Sequence, residues 1–225
     1  MSSDSPVSSS ADRPGDQTRT SLIMAGMRLF GGKGFDATST REIAAAANAN
    51  IASIAYHFGG KGGLRLACAE MVARRIQGVA TPILNAVDPG DDPRAAQAMF
   101  ERVIMGVTDF MLGQAEAHDI AGFLVRELGG AGVVFDKVYA DFILPVHRNL
   151  CVLLGLATGQ DPESDLIRLG TFSIAGQVVY FRIGHAVVNR RMQWQVAGPA
   201  EIESIKSVIL SNIRAFVATN QKPVP

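Results

Sequence analysis

Between Thr38 and Leu64 the chain reads TSTREIAAAANANIASIAYHFGGKGGL. This stretch gathers hydroxyls (Ser39, Thr40, Ser53, Tyr56), amides (Asn48, Asn50), an imidazole (His57) and two cations (Arg41, Lys61) around a single acid, Glu42. Cations and free backbone N–H groups suit phosphates. Hydroxyls, an aromatic ring and small apolar side chains suit base edges. The chemistry on offer is non-covalent recognition of a polyanion.

Two short helices with a tight turn between them would position these groups. Ser39 and Thr40 are N-cap candidates, because a hydroxyl can accept from the free N–H groups of a first turn. Arg41 to Ala47 has high helix propensity, and Ile43, Ala46 and Ala47 fall on one face. Asn48 follows where the turn needs a positive φ, which Asn tolerates. Asn50 or Ala49 starts the second helix, with Asn50 the better cap. Ile54 and Phe58 point inward, leaving Ile51, Ala52, Ser53, Tyr56 and His57 partly outward. Gly59 and Gly60 end that helix, and Lys61 opens the next. This is the layout of a helix-turn-helix unit whose second helix enters the major groove. The candidate DNA contacts are Thr40, Arg41, Asn50, Ile51, Ala52, Ser53, Tyr56, His57 and Lys61. For Tyr56 and His57, packing within the head is the competing role; for Arg41 and Lys61 it is a solvated cation.

These residues carry a resemblance. The segment from about Thr18 to Leu66 resembles the DNA-binding domain of the TetR family of bacterial transcription regulators. The matching pieces are RTSLIMAGMRLFGGKGF, TSTREIAAAA, IAYHF, and Lys61 with Leu64. The SIAYHFGGK spelling is similar to the CecR-like subgroup. Many family members have Gly at the Asn48 position and Tyr at the Ala55 position. The phosphate contact made there passes to Tyr56 or His57. The resemblance implies an all-α protein with a three-helix head and a C-terminal helical bundle. It implies a homodimer that binds a near-palindromic operator and is released by a small-molecule effector. It places the dimer contact in the last two long helices, with Ile167, Leu169, Phe172, Ile202, Ile205, Ile209 and Phe216 as contributors.

The charge distribution fits a DNA partner. The 225 residues carry 21 Lys and Arg against 21 Asp and Glu. Residues 17–75 hold eight cations against three acids, whereas residues 76–225 hold twelve against fifteen. A basic head on an acidic body is the footprint of a small DNA-binding domain. Cys68 and Cys151 form no C-x-x-C spacing, which excludes a disulfide framework and fits a reducing cytoplasm. No apolar signal segment opens the chain. The run Ile43–Gly60 carries one formal-charge-free stretch, but its Asn, Ser and His residues exclude a bilayer span. No other segment is expected to cross a membrane.

The expected organisation is a disordered tail over 1–16, the helix-turn-helix domain over 17–64, and a ligand-binding and dimerisation domain over 65–225. The first helix should run from Thr18 or Thr20 to about Gly32, and a fourth from about Gly62 towards Leu84. Beyond the break DPGDDP at 88–93, helical periods predict segments at about 94–114, 118–129, 133–157, 164–191 and 199–219. Pro145 should kink or divide the third of these.

In the body, Met and Phe at helical spacing form a core and suit a pocket for an apolar or amphipathic ligand. Polar residues in apolar runs need partners. The candidate ligand residues are Met105, Phe123, Arg126, Glu127, Phe142, His147, Gln177 and Phe181, with internal ion pairing the competing role for Arg126 and Glu127. Catalysis is not expected. His118–Asp119 is a lone dipeptide, His147 and Asp141 lack a third ligand in reach, and no phosphate loop or nucleophile elbow occurs. No cofactor is implied. The alternatives to a ligand-responsive repressor are a ligand-independent activator and a helical binding module without DNA-binding activity.

Overall fold

The computed structural model describes residues 14–86, 88–130 and 132–222. Most of the expected N-terminal tail lies outside the described residues. Its last part does not: helix α1 (Pro14–Lys33) begins at Pro14, several residues before the expected start. Then come α2 (Thr40–Ala46), α3 (Ala52–Phe58), α4 (Lys61–Ala86), α5 (Pro93–Gly113), α6 (Ala117–Leu128) and α7 (Val133–Val138). A π-helical turn (Tyr139–Ile143) leads into α8 (Leu144–Thr158), followed by α9 (Asp165–Ile183), α10 (His185–Met192) and α11 (Pro199–Asn220). The described residues contain no strand. Two compact units divide within α4, between Cys68 and Ala69.

The first unit is the head. Leu22, Ile23, Met27 and Phe30 from α1 are buried with Ile43, Ile54, Leu64 and Cys68. Ser39 caps α2 through a capping box: its Oγ accepts from the Glu42 N–H at 3.2 Å, and Glu42 Oε2 accepts from the Ser39 N–H at 2.9 Å. Ala44, not Ala46, joins Ile43 inside; Ala46 is exposed. The short α2 turns its buried edge one residue earlier than a full amphipathic stripe would.

The second unit is a helical bundle centred on α5, which packs against α6, α8, α9 and α11. Phe100, Leu154, Ile167, Ile209 and Ile213 are wholly or almost wholly inaccessible. Ile167, Ile205 and Ile209 were expected at a dimer contact and are instead core of the single chain. Their side of α9 and α11 faces inward onto α5. Phe216 packs on Gly170, where a Cβ would lie 2.4 Å from its ring. Leu169 remains outward, whereas Phe172 is half-exposed with its ring stacked on His147.

Two expected long helices are divided. Gly184 separates α9 from α10, its N–H bonded to Tyr180 O at 2.7 Å; glycine has low helix propensity. Pro145 acts differently. Having no N–H, it cannot bond the carbonyl of Asp141, four residues back. The chain widens into the π turn, with Leu144 N–H reaching Tyr139 O. Asp141 O accepts instead from Gln77 Nε2 at 3.1 Å. The run Val133–Thr158 is also long and apolar enough by composition to cross a bilayer, contrary to the sequence expectation. Its apolar residues Leu150, Cys151, Leu153, Leu154 and Ala157 are spent in the bundle core.

Ile209→Ala should cost about 2–5 kcal/mol of body stability through the cavity it leaves. The check is the urea midpoint at unchanged denaturant slope; a midpoint equal to the parent's would contradict its core placement.

Candidate nucleic-acid interface and ligand cavity

In the head, Asn48 takes φ 50° and turns the chain out of α2. Asn50 Oδ1 accepts from the Ala52 N–H at 2.9 Å, fixing the entry to α3. Gly59, at φ 69°, closes the helix by donating to Ala55 O. Ile54 is the one residue of α3 buried. Ala52, Ala55 and Tyr56 are exposed, as is Ile51 just before them. Tyr56 is 85% exposed and meets the His57 ring edge-on at 4.9 Å. Ser53 and His57 are half-buried. In α2, Arg41 is exposed and Thr40 half-buried. No acid lies on α3, and Glu42, the acid nearest in sequence, is paired with Lys33. The exposed ridge is therefore narrow, uncharged and free of long side chains other than Tyr56, a shape that admits close approach to base edges.

Lys61 is half-buried and already engaged. Its Nζ donates to Phe35 O and Thr38 O, both at 2.9 Å, and lies 4.3 Å from the Phe35 ring centre. Thr38 is itself buried and donates to Gly34 O at 2.7 Å. Lys61 thus ties the start of α4 to the α1–α2 loop, and one ammonium hydrogen is left over for another acceptor. Sequence reasoning missed this tie, because it runs through carbonyls of a distant loop that carry no residue-type signal. Arg65 also lies over Phe35, at 4.7 Å, and Arg19 over Phe58, at 5.4 Å.

The body holds a cavity of about 550 Å³. Its wall includes Val103 and Met111 of α5, Leu124 of α6, Tyr139, Phe142 and Ile143 of the π turn, Val146 and His147 of α8, and Thr171, Phe172 and Tyr180 of α9. His147 stacks on Phe172 at 3.8 Å. Its Nε2 faces Arg168 O at 3.1 Å, so that nitrogen carries the hydrogen. Cys151 Sγ lies 3.5 Å from His147 Nδ1 and 3.5 Å from Thr171 Oγ1. Burial pushes the Cys151 thiol above its ordinary range, which keeps the hydrogen in this chain.

A family model described as the C-terminal domain of the HTH-type transcriptional dual regulator CecR matches residues 96–219. A second, the bacterial regulatory proteins of the tetR family, matches residues 22–68. The chain is 30% identical over 204 residues to the HTH-type transcriptional dual regulator CecR of Shigella flexneri, covering 88% of this chain and 91% of that one. The chain belongs to the TetR family of transcriptional regulators, in the CecR group. The regulator's fold is that of solved family members. A TetR-like regulator from Rhodococcus sp. RHA1 aligns with TM-score 0.64 at 20% identity, over 89% of this chain and 96% of that one. AibR, solved with isovaleryl coenzyme A and operator DNA, aligns with TM-score 0.66 at 16% identity, over 86% and 96%. As a TetR-family regulator the chain is a DNA-binding protein and not an enzyme.

Of the eight residues expected at the ligand site, the regulator brings only Phe142 and His147 to the cavity wall. Phe123 is wholly buried. Met105 borders a separate groove with Lys206 and Arg214. Gln177 accepts from Asn212 Nδ2 at 2.7 Å, joining α9 to α11. Phe181 borders a smaller pocket beside Arg182, whose Nε is buried without a partner among the described residues. Glu127 is buried, Arg126 is exposed, and neither borders the cavity. The sequence missed Tyr139, Thr171 and Tyr180. The i, i+3 pair Tyr139–Phe142 just before Pro145 was the available signal.

Two tests address the head. A Cβ on Gly63 would lie 1.8 Å from Phe58 O, whereas one on Gly62 meets nothing within 4 Å. Gly63→Ala should therefore weaken both head stability and DNA binding, and Gly62→Ala should leave both near the parent's. Equal effects in thermal melts and gel shifts would contradict the close approach of α3 and α4.

The Glu42 carboxyl is lowered from 4.5 to about 2, first by its hydrogen bond to Lys33 and then by Ser39. Its contribution is full above pH 4.5 and is lost as pH falls through 2. Glu42→Gln should speed hydrogen exchange in α2 at neutral pH, with the difference from the parent shrinking across that window. A pH-independent difference would contradict the pairing.

Proposed function

We propose that the regulator binds a near-palindromic operator as a homodimer, and that an apolar small molecule in the body cavity releases it. The observation that carries the reading is the coexistence, in one chain, of an uncharged protruding α3 ridge and a ligand-sized apolar cavity. The organisation proposed is a DNA-binding domain over 17–64 and a ligand-binding and dimerisation domain over 65–225, acting in the cytoplasm where the operator is.

In this reading α3 lies in the major groove. Ile51, Ala52, Ser53 and Tyr56 approach base edges, and Thr40, Arg41, Asn50 and His57 approach the backbone. Lys61 contributes its remaining hydrogen to a phosphate while holding the α1–α2 loop. The dimer face is the outward side of α9 and α11: Leu166, Leu169 and Ser173 beside Ser204, Val208, Ser211 and Ala215. Leu169 is 67% exposed and Val208 53%, and the small residues of α11 let a second copy come close. The effector acts by binding the DNA-incompetent state more tightly, and a tenfold release requires a difference of about 1.4 kcal/mol.

The relative CecR is described as a dual regulator. That supports a second reading, in which operator position decides between repression and activation while the binding chemistry is unchanged.

Selection of bound sequences from genomic DNA, repeated with and without candidate effectors, tests the proposal. Tyr56→Ala should cost about 1–3 kcal/mol of operator affinity and change the preferred sequence. Lys61→Ala should lower affinity for all sequences alike, with a salt slope shallower by about one unit. Leu169→Glu should give a folded monomer by sedimentation, with operator affinity strongly reduced. A Leu169→Glu monomer that binds full operator like the parent would contradict the two-half-site reading.

A further inference from the structure

Among the described residues, the cavity wall contains no Lys, Arg, Asp or Glu. Four polar side chains border it: Tyr139, His147, Thr171 and Tyr180. Two of them already contact the protein. His147 Nε2 donates to Arg168 O, and its Nδ1 lies against the Cys151 thiol. Thr171 Oγ1 faces the same thiol. Arg168, whose carbonyl accepts from His147, directs its guanidinium to Asp165 at 2.6 Å. What remains for a ligand is the two phenol hydroxyls and the hydroxyl hydrogen of Thr171, whose oxygen accepts from the thiol, on a wall otherwise made of Ile, Val, Leu, Met, Phe, Ala and Gly.

A carboxylate, phosphate or ammonium buried here would lose its hydration and find no counter-charge, which costs far more than burying a neutral hydroxyl or carbonyl. At about 30 Å³ per water-sized group, 550 Å³ gives room for on the order of 18 such groups. Resting on the reading of this cavity as the effector site, we propose that the effector is an uncharged apolar molecule. Its one or two polar groups are hydroxyls or carbonyls met by the Tyr139 or Tyr180 hydroxyl. The charged groups of free fatty acids and acyl coenzyme A thioesters are disfavoured against this wall, although Tyr139, Phe172, Val179 and Tyr180 leave its rim open to solvent.

Three probes of equal chain length separate the possibilities: decan-1-ol, decanoate and decyltrimethylammonium, titrated against the full chain at about pH 8, where the acid is ionised. Calorimetry should show decan-1-ol binding at least about tenfold tighter than either ion. Val179→Lys places a cation at the half-exposed rim of the cavity and should turn the preference toward decanoate. Ala175→Phe, which fills the cavity, should abolish alcohol binding.

Decanoate or the ammonium binding the parent as tightly as the alcohol overturns the proposal, since the head group would then sit in water. So does an unchanged preference in Val179→Lys, or no binding of decan-1-ol up to its solubility limit. Operator release is read separately by fluorescence anisotropy. Selective alcohol binding without release upholds the charge exclusion and sinks the effector reading. Decanoate binding with release does the reverse.

Discussion

Helix α3 has seven residues, too few to be stable alone, and a single buried side chain, Ile54. Every other feature of the head serves that anchorage. Ile54 is buried in the same unit as Ile43 and the α1 residues Leu22, Ile23, Met27 and Phe30. Asn48 reverses the chain so that Ile54 can reach that core, and Asn50 and Gly59 satisfy the helix ends. With Ile54 fully buried and Ser53, His57 and Phe58 half-buried, Ala52, Ala55 and Tyr56 are left as surface. The same economy leaves the helix exposed to disruption. Gly63 must lack a Cβ because Phe58 O lies in the space it would fill, and Lys61 must hold the α1–α2 loop from the other side.

The body solves a different problem. Its helices bury a large core around α5, yet a cavity persists where α8 meets the π turn. Proline explains it locally. Pro145 cannot complete the bond to Asp141 O, the backbone widens, and Tyr139, Phe142 and Ile143 are delivered to one wall. π turns often occur at functional sites, and here the cause is a single missing N–H with Gln77 taking the orphaned carbonyl. The polar side chains nearby are closed on one another, which leaves the wall apolar.

The head was legible in the sequence because its signals are local. A capping box, a positive-φ Asn, a Gly terminator and an inward Ile each act within four residues. Most of the division of the body into helices was legible for the same reason, through Gly-Gly, Asp-Pro and Gly-Pro breaks, but the break at Gly184 was missed because a lone glycine inside an apolar period is a weak stop. What failed was long-range. The family resemblance put Ile167, Ile205 and Ile209 at a dimer contact, and only the position of α5 shows that their face is inward. Arg126 and Glu127 drew attention as polar residues in an apolar run, yet the cavity is lined from the π turn and α9. Lys61 read as a phosphate ligand, while its carbonyl partners at Phe35 and Thr38 were invisible to residue type.

In the proposed complex, α3 enters the major groove twice. Methylation protection of guanine N7 on a selected operator measures this directly. Two protected major-groove patches are predicted, separated by a whole number of helical turns of about 34–36 Å, and Tyr56→Ala should weaken both. A single protected patch, or no protection of guanine N7 on an operator that is bound, would contradict it.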